Sequence, residues 1–230
     1  MAIFYSPKIV TDGLVLCLDA GNTKSYSGSG ATWTDLSNNG GNGTNSNMTY
    51  SSSNGGYFIF NNSSSVSTIS NYSALNPTTG LSIEAWVNFD GDSDDFIFEK
   101  GDVNTQFSLF SHSTDIVFRT YHSGDVGGYH SLAPSKSTVG VANGQWVHIV
   151  GSWDGSTKII YINGVLKNSI SKTGNLVTTS PGASVGRFGG TTTGYYFGGK
   201  IAKVAVYNIG LSASQVLQNY NALRGRYGLS

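Results

Sequence analysis

The chain has 230 residues, 38% hydrophobic and 12% aromatic, with 31 glycines, one cysteine, and 13 basic side chains against 13 acidic ones. A formal charge of zero, scattered along the chain, leaves no electrostatic footprint for a phosphate backbone or anionic lipid, so neither nucleic acid nor membrane is an expected partner. The lone Cys17 excludes an intrachain disulfide, and the abundant Gly, Ser, Thr and Asn suit many short strands joined by tight turns.

The opening MAIFYSPKIVTDG places Pro7 and Lys8 after its apolar residues, the reverse of a secretory leader. Residues 1–11 are therefore expected to form an N-terminal arm, and export by the usual secretory route is not expected. Leu14 to Asp19 is a short apolar run ending in Asp19-Ala20-Gly21-Asn22, which reads as a buried strand and a turn, with Cys17 as a small apolar residue. From Ser25 to Gly56 the chain is small and polar except at Trp33, Leu36, Met48 and Tyr50. Such anchors pin a loop to the body of a fold, so no domain boundary is placed there and residues 1–230 are read as one domain.

Strands are predicted at Tyr57 to Phe60, around Val66 to Ile69, and most clearly at Leu81 to Phe89. In the last, alternation puts Leu81, Ile83, Ala85, Val87 and Phe89 on one face and Ser82, Glu84, Trp86 and Asn88 on the other. Phe96 to Glu99, Phe107 to Phe110 and Ile116 to Tyr121 continue as a meander. Trp146 to Trp153 and Lys158 to Ile162 flank Asp154-Gly155-Ser156, and Asn163-Gly164 turns the chain into Val165 and Leu166. Ser184 to Arg187 and Ile201 to Tyr207 complete the strands. One helix follows over 211–225, with Ser212 as N-cap, Gln215 closing a capping box, Leu211 and Val216 as a staple, and Gly225 as the stop.

Several segments together resemble one family: GLVLCLDAGN, SIEAWVNF, GQWVHIVGSWDGSTKIIYINGVL and YYFGGKIAKVAVYNIGLSASQVLQNYNAL. They are similar to the laminin G-like jelly roll of the concanavalin A-like lectin and glucanase superfamily, in the family's order, from about Asp12 onward. Trp146 and His148, Trp153-Asp154-Gly155 and Tyr161-Ile162-Asn163-Gly164 are the most specific part. The resemblance implies an all-β sandwich of two antiparallel sheets with one short C-terminal helix, the strand near Leu14 pairing with that near Ile201, and a structural role for His148. IVTDGLVLCLDAGN and YNIGLSASQVLQNYNALRGRYGL are also similar to versions of this domain in virion proteins of tailed bacteriophages. Where the family often has Gly-x-Ile-Asp-Glu this chain has Gly199-Lys200-Ile201-Ala202-Lys203, and where it often has Phe-Asp-Gly this chain has Phe60-Asn61-Asn62. Both changes remove carboxylates of the kind that bind calcium, so no cofactor is expected.

The superfamily's glucanase chemistry needs two carboxyl groups facing each other across a bond, yet Glu84 and Glu99 are the only glutamates and the Glu-x-Asp-x-Glu pattern is absent. No catalytic residue is assigned. Asp90, Asp92 and Asp94, with Asp95, form the densest acidic cluster and are the only metal candidates, but the Gly and Glu that an EF-hand-type loop requires are replaced by Asp95 and Gly101. Tyr121, His122, Tyr129, His130, Tyr195 and Tyr196 lie in or beside Gly-rich turns, where flat rings could stack on a sugar or meet a protein. The expectation is a non-enzymatic virion structural or decoration protein, made in the host cytoplasm and packed against other virion proteins, with homo-oligomers allowed. A lectin-like module for cell-surface carbohydrate is the alternative, and a glycoside hydrolase is remote.

Overall fold

The computed structural model describes residues 8–101, 106–125, 128–189 and 195–229, so residues 1–7 of the expected N-terminal arm lie outside the described residues. The strands in chain order are β1 (Leu14–Asp19), β2 (Thr32–Trp33), β3 (Gly43–Ser46), β4 (Thr49–Ser51), β5 (Tyr57–Asn61), β6 (Val66–Ile69), β7 (Leu81–Phe89) and β8 (Asp95–Lys100). They continue as β9 (Phe107–His112), β10 (Asp115–Thr120), β11 (His130–Leu132), β12 (Val147–Trp153), β13 (Thr157–Ile162), β14 (Val165–Ser171), β15 (Ala183–Val185) and β16 (Gly198–Tyr207). Two helices, α1 (Lys136–Val139) and α2 (Ala213–Leu223), complete the set.

The strands form two antiparallel sheets. The first runs β14-β13-β12-β7-β16-β5-β4 and the second β11-β10-β9-β8-β15-β6-β3-β2. Strand β16 is long enough to serve two neighbours on one side. Gly198 to Ile201 pairs with β5, and Lys203 to Tyr207 pairs with β1, as expected for the strand near Leu14. Alternation along β7 delivers Leu81, Ile83, Ala85, Val87 and Phe89 to the space between the sheets, where they meet Phe98, Leu109 and Phe118 of the second sheet. Asn163 (φ 51°) and Gly164 (φ 78°) both take the left-handed conformation of a two-residue hairpin turn between β13 and β14.

The Ser25 to Gly56 stretch differs from a plain loop. It contributes β4 at the edge of the first sheet and β2 and β3 to the second, with β2 at that sheet's edge, and Trp33 is fully buried against Phe58 with ring centroids 4.7 Å apart. The C-terminus differs too. The capping box forms as expected, with the Ser212 amide donating to Gln215 Oε1 at 2.9 Å, but Gly225 does not stop the chain. A 3-10 turn continues over Arg224–Tyr227 and ends at Gly228, whose φ of 71° supplies the left-handed stop.

That extension covers the outer face of the first sheet. The predicted polar face of β7 is accordingly as buried as its apolar face, because Val10, Leu211, Val216, Tyr220 and Tyr227 close over it. Trp86 stacks against Tyr227 at 4.4 Å and Tyr220 at 5.9 Å, and lies 4.9 Å from the His148 ring, the structural place expected for that histidine. Beneath this lid Glu84 Oε1 accepts from Lys203 Nζ at 2.6 Å, and Glu84 Oε2 accepts from Asn219 at 2.6 Å and from the Tyr207 hydroxyl at 3.2 Å. Burial alone would raise the Glu84 pKa, but Lys203, with His148 beside it, holds the carboxyl well below its ordinary range. Lys203 is held above its ordinary value by Glu84 despite its burial.

Glu84→Gln should remove about 3–5 kcal/mol of unfolding free energy by leaving Lys203 buried without its counter-charge, and adding Lys203→Met should restore most of it. Urea titration of the three proteins checks this, and an unaltered midpoint for the single variant would remove the pair from its assigned role. The folded pKa of Glu84 lies below the unfolded one, so its stabilisation is fully present above about pH 5 and drains as the pH falls toward the folded value. Acid titration of stability should therefore be shallower in Glu84→Gln than in the parent.

Candidate functional site

With the outer face of β7 sealed, the first sheet keeps its free surface chiefly at the exposed edge strand β14, whereas the outer face of the second carries a groove near its β8, β9 and β10 end. Alternation in β9 and β10 sends Leu109, Ile116 and Phe118 into the core and leaves Phe110, His112, Val117 and Arg119 facing outward. Strand β8 breaks its alternation. A bulge between Phe96 and Phe98 pairs Phe96 with Phe110 and Phe98 with Leu109, so two residues that would share a face are sent to opposite ones. The Phe96 ring then stacks on Phe110 with centroids 4.5 Å apart and planes 2° from parallel.

Phe188 and Tyr195 stand around Phe96 at 5.1 and 6.2 Å, and Tyr129 closes the other side over Arg119. The result is a groove of about 250 Å³ with an aromatic floor. Its rim carries a polar contact, His112 Nδ1 to Asp94 Oδ1 at 2.7 Å. The Arg119 guanidinium lies 4.4 Å from the Phe110 centroid and 4.3 Å from that of Tyr129. Burial moves its pKa downward, against the pull of Glu99, Tyr129 and Asp94. A guanidinium starts so high that it keeps its proton.

Of the six ring residues expected to bind, the structure brings Tyr129 and Tyr195 into this groove, 53% and 39% exposed. The other four lie elsewhere. His122 is interior, with Nδ1 2.9 Å from the Gly174 carbonyl, Nε2 2.7 Å from Thr120 Oγ1 and its ring edge-on to Trp153. Burial pushes its pKa below the imidazole range, so it serves as a structural group in place of a ligand-facing one. Half-buried Tyr121 is tied through its backbone to Gln106 and Val177. His130 gives its carbonyl to Lys158 Nζ at 2.6 Å, and Tyr196 bridges to Arg187. Phe96, Phe110 and Arg119 fall within strands predicted from the sequence without a binding role, and Phe188 was not singled out there.

The acidic cluster is dispersed among separate partners. Asp92 Oδ1 accepts from Lys136 Nζ and Asn143 Nδ2, both at 3.0 Å, and these contacts hold it below the usual carboxylate range. Asp94 is held by His112, Asp95 accepts from the Gly198 amide at 2.8 Å, and Asp90 packs against Gly198. Among the described residues no group of three or more His, Cys, Asp or Glu side chains is placed to hold a metal ion. The two glutamates sit on the outward faces of opposite sheets, Glu84 under the helix and Glu99 beside Ser108 in the second sheet, and both are fully buried. They do not face each other across a cleft.

A family model described as the concanavalin A-like lectin/glucanases superfamily matches residues 60–217. Among solved structures, the binding domain of Paraclostridial Mosquitocidal Protein 1 is similar, with 15% identity and a TM-score of 0.71 over 92% of this chain and 52% of that one. A structure of botulinum neurotoxin type C, which depends on interaction with two ganglioside molecules to get into cells, gives 14% identity and a TM-score of 0.70 over 93% and 52%. The binding domain of botulinum neurotoxin DC in complex with rat synaptotagmin II gives 14% and 0.68 over 93% and 52%. The chain spans about half the length of these structures, and at such identities the likeness is one of fold. No curated protein matches the chain in sequence.

Since Asp92, Asp94 and Asp95 are each committed to a partner within the protein, EDTA should leave the thermal midpoint within about 2 °C, because removing a bound ion is what would shift it. A larger fall reversed by calcium in differential scanning calorimetry would contradict this.

Proposed function

Because the chain belongs to the concanavalin A-like lectin/glucanases superfamily, we propose that it is a non-catalytic recognition module whose aromatic groove takes a sugar ring. The observation that carries this reading is the bulge that turns Phe96 outward to stack on Phe110, with Tyr129 and Tyr195 exposed on either side. Above the buried Phe96 and Phe110 pair, the exposed rings of Tyr129 and Tyr195 offer stacking surface to the C–H face of a sugar, while Asp94, His112 and Arg119 offer hydrogen bonds to its hydroxyls. The non-catalytic part is supported by the burial of Glu84 and Glu99 on opposite sheets, which leaves the two-carboxylate geometry of glycoside hydrolysis unmet by the glutamates. The ganglioside dependence of the botulinum neurotoxin type C structure is consistent with a carbohydrate partner for this fold.

The setting we propose is the virion of a tailed bacteriophage, on the likeness of the two terminal segments to such versions of the domain. A second surface fits that setting. Val165, Leu166 and Ile170 on edge strand β14 and Leu217 on α2 are 42–55% exposed and apolar, which suits contact with a neighbouring virion protein.

A glycan array should show saturable binding to at least one carbohydrate class. By calorimetry, Tyr195→Ala and Tyr129→Ala should each weaken it by about tenfold, the scale of one aromatic contact, with unchanged melting. Failure to bind any glycan, together with tight co-sedimentation with particles stripped of the protein, would leave the protein-contact role alone. Mass spectrometry of purified particles tests the setting, which falls if the chain is missing from them.

A further inference from the structure

We infer that the groove continues into a second subsite toward β11 and takes a saccharide chain of at least two residues, an inference that rests on reading the groove as a sugar site. A hollow of about 190 Å³ adjoins it on that side. Phe110, His112 and Arg119 line both spaces, while Asp115, Val117, Ser131 and Ala133 belong to the second alone. The sheet register accounts for the continuity. Phe110 pairs with Val117, His112 with Asp115, and Arg119 with Ser108 on one side and Ser131 on the other, so the two hollows lie side by side across β8, β9, β10 and β11. Neighbouring strands are about 4.8 Å apart, so these four span about 14 Å, more than one pyranose ring occupies.

The two hollows present different chemistry. The first has the exposed rings of Tyr129 and Tyr195, which supply stacking surface. The second is floored by buried Phe110 and Val117, and its open groups are His112, Ser131 and Ala133 with half-buried Asp115. A serine hydroxyl donates and accepts, and a carboxylate accepts, which together match the hydroxyl edge of a sugar. Between the hollows stands Arg119, laid over Phe110 at 4.4 Å and beside Tyr129 at 4.3 Å. Buried Glu99 stands in register with it across Ser108 and acts on its charge, so the guanidinium is engaged within the protein and serves as wall. With Asp115 on the rim, a neutral sugar suits the second hollow better than an acidic one. Continuity names the occupant. A chain that leaves the ring-lined groove toward β11 meets Ser131 and Asp115 next, whereas the second hollow, with no phenol ring among its lining residues, has too little stacking surface to hold a separate sugar.

The test is calorimetry of the full chain with homo-oligomers of glucose, xylose and N-acetylglucosamine, each in lengths of one to four residues. In at least one series affinity should rise about tenfold between one residue and three, the scale of one or two added hydrogen bonds, and less than about threefold between three and four. Asp115→Ala combined with Ser131→Ala should keep the one-residue affinity within about threefold of the parent and cut the gain with length to less than about threefold. Tyr195→Ala should instead weaken every length alike. In amide NMR spectra of the parent, Ser131 and Ala133 should shift with the three-residue probe and not with the single sugar, which locates the added contacts even where the double variant folds poorly. Affinity that does not depend on length, Ser131 and Ala133 amides that stay put, or a length gain that persists in the folded double variant overturns the second subsite and leaves the sugar reading standing. A parent that binds no member of any series overturns both.

Discussion

The rest of the molecule is arranged around a buried charge pair. Glu84 on β7 and Lys203 on β16 sit side by side in the middle of the first sheet, on the face pointing away from the other sheet. Two charges there are tolerable only when shielded from competing water and given further hydrogen bonds, since desolvation otherwise exceeds their attraction. Tyr207 and Asn219 supply those bonds, and α2 with its 3-10 extension supplies the cover. Asn219 also accepts from the Val10 amide, and Arg226 reaches Asp19 at 2.6 Å, so Val10 and the segment that follows α2 are drawn onto the same face. The pair stabilises little by itself. It joins β7 to β16 beneath the cover of α2.

One consequence concerns the opposite side of the sandwich. A jelly roll has two outer faces, and here one is consumed by the helix, the N-terminal segment and the Trp86, Tyr220 and Tyr227 stack. Surface for a ligand must come from the second sheet or from edges and loops. The bulge in β8 makes that sheet suitable, because it moves one large ring out of the core without breaking the pairing of β8 with β9 on either side of it. The floor of the groove is thus strand-borne, with Phe96, Phe110 and Arg119 positioned by sheet hydrogen bonds, while Tyr129 and Tyr195 approach from segments between strands. A rigid floor with ring walls pays less conformational entropy on binding than a site made of loops alone.

How far the sequence carried this picture follows from what each element depends on. Local pattern sufficed for β7, whose alternation is strict, and for the Ser212 and Gln215 capping box, which is a contact three residues apart. It failed for β2, β3 and β4, which are small and polar and owe their extended form to pairing with distant strands and to Trp33 burying against Phe58. It failed again at Gly225, because the turn that follows α2 is held by Tyr227 stacking on Trp86 and Trp146, contacts invisible from the local sequence. In the site, Tyr129 and Tyr195 were legible as rings in glycine-rich turns. The bulge that turns Phe96 to the outer face was not, since an extra residue in a strand has no composition signature, and His122 looked the same in sequence whether facing a ligand or the Gly174 carbonyl.

The size of the groove sets a scale for what it can do. At about 250 Å³ it lies just below the ~300–1,000 Å³ of sites that engulf a drug-sized ligand, so under the proposed reading it would have room for a single ring and a few polar groups. One aromatic stack and a few hydrogen bonds, set against the cost of association, leave a weak individual contact. In the proposed virion setting, with many copies on one particle, weakness at one site would be no defect. When the first contact holds the particle at a surface, each later one forms at a high effective concentration, and overall avidity rises by about 10²–10⁴ without any new type of contact. The exposed apolar edge formed by Val165, Leu166 and Ile170 lies on the first sheet, away from the groove on the outer face of the second. A module anchored by that edge would keep its groove open, so attachment and recognition need not compete for the same surface.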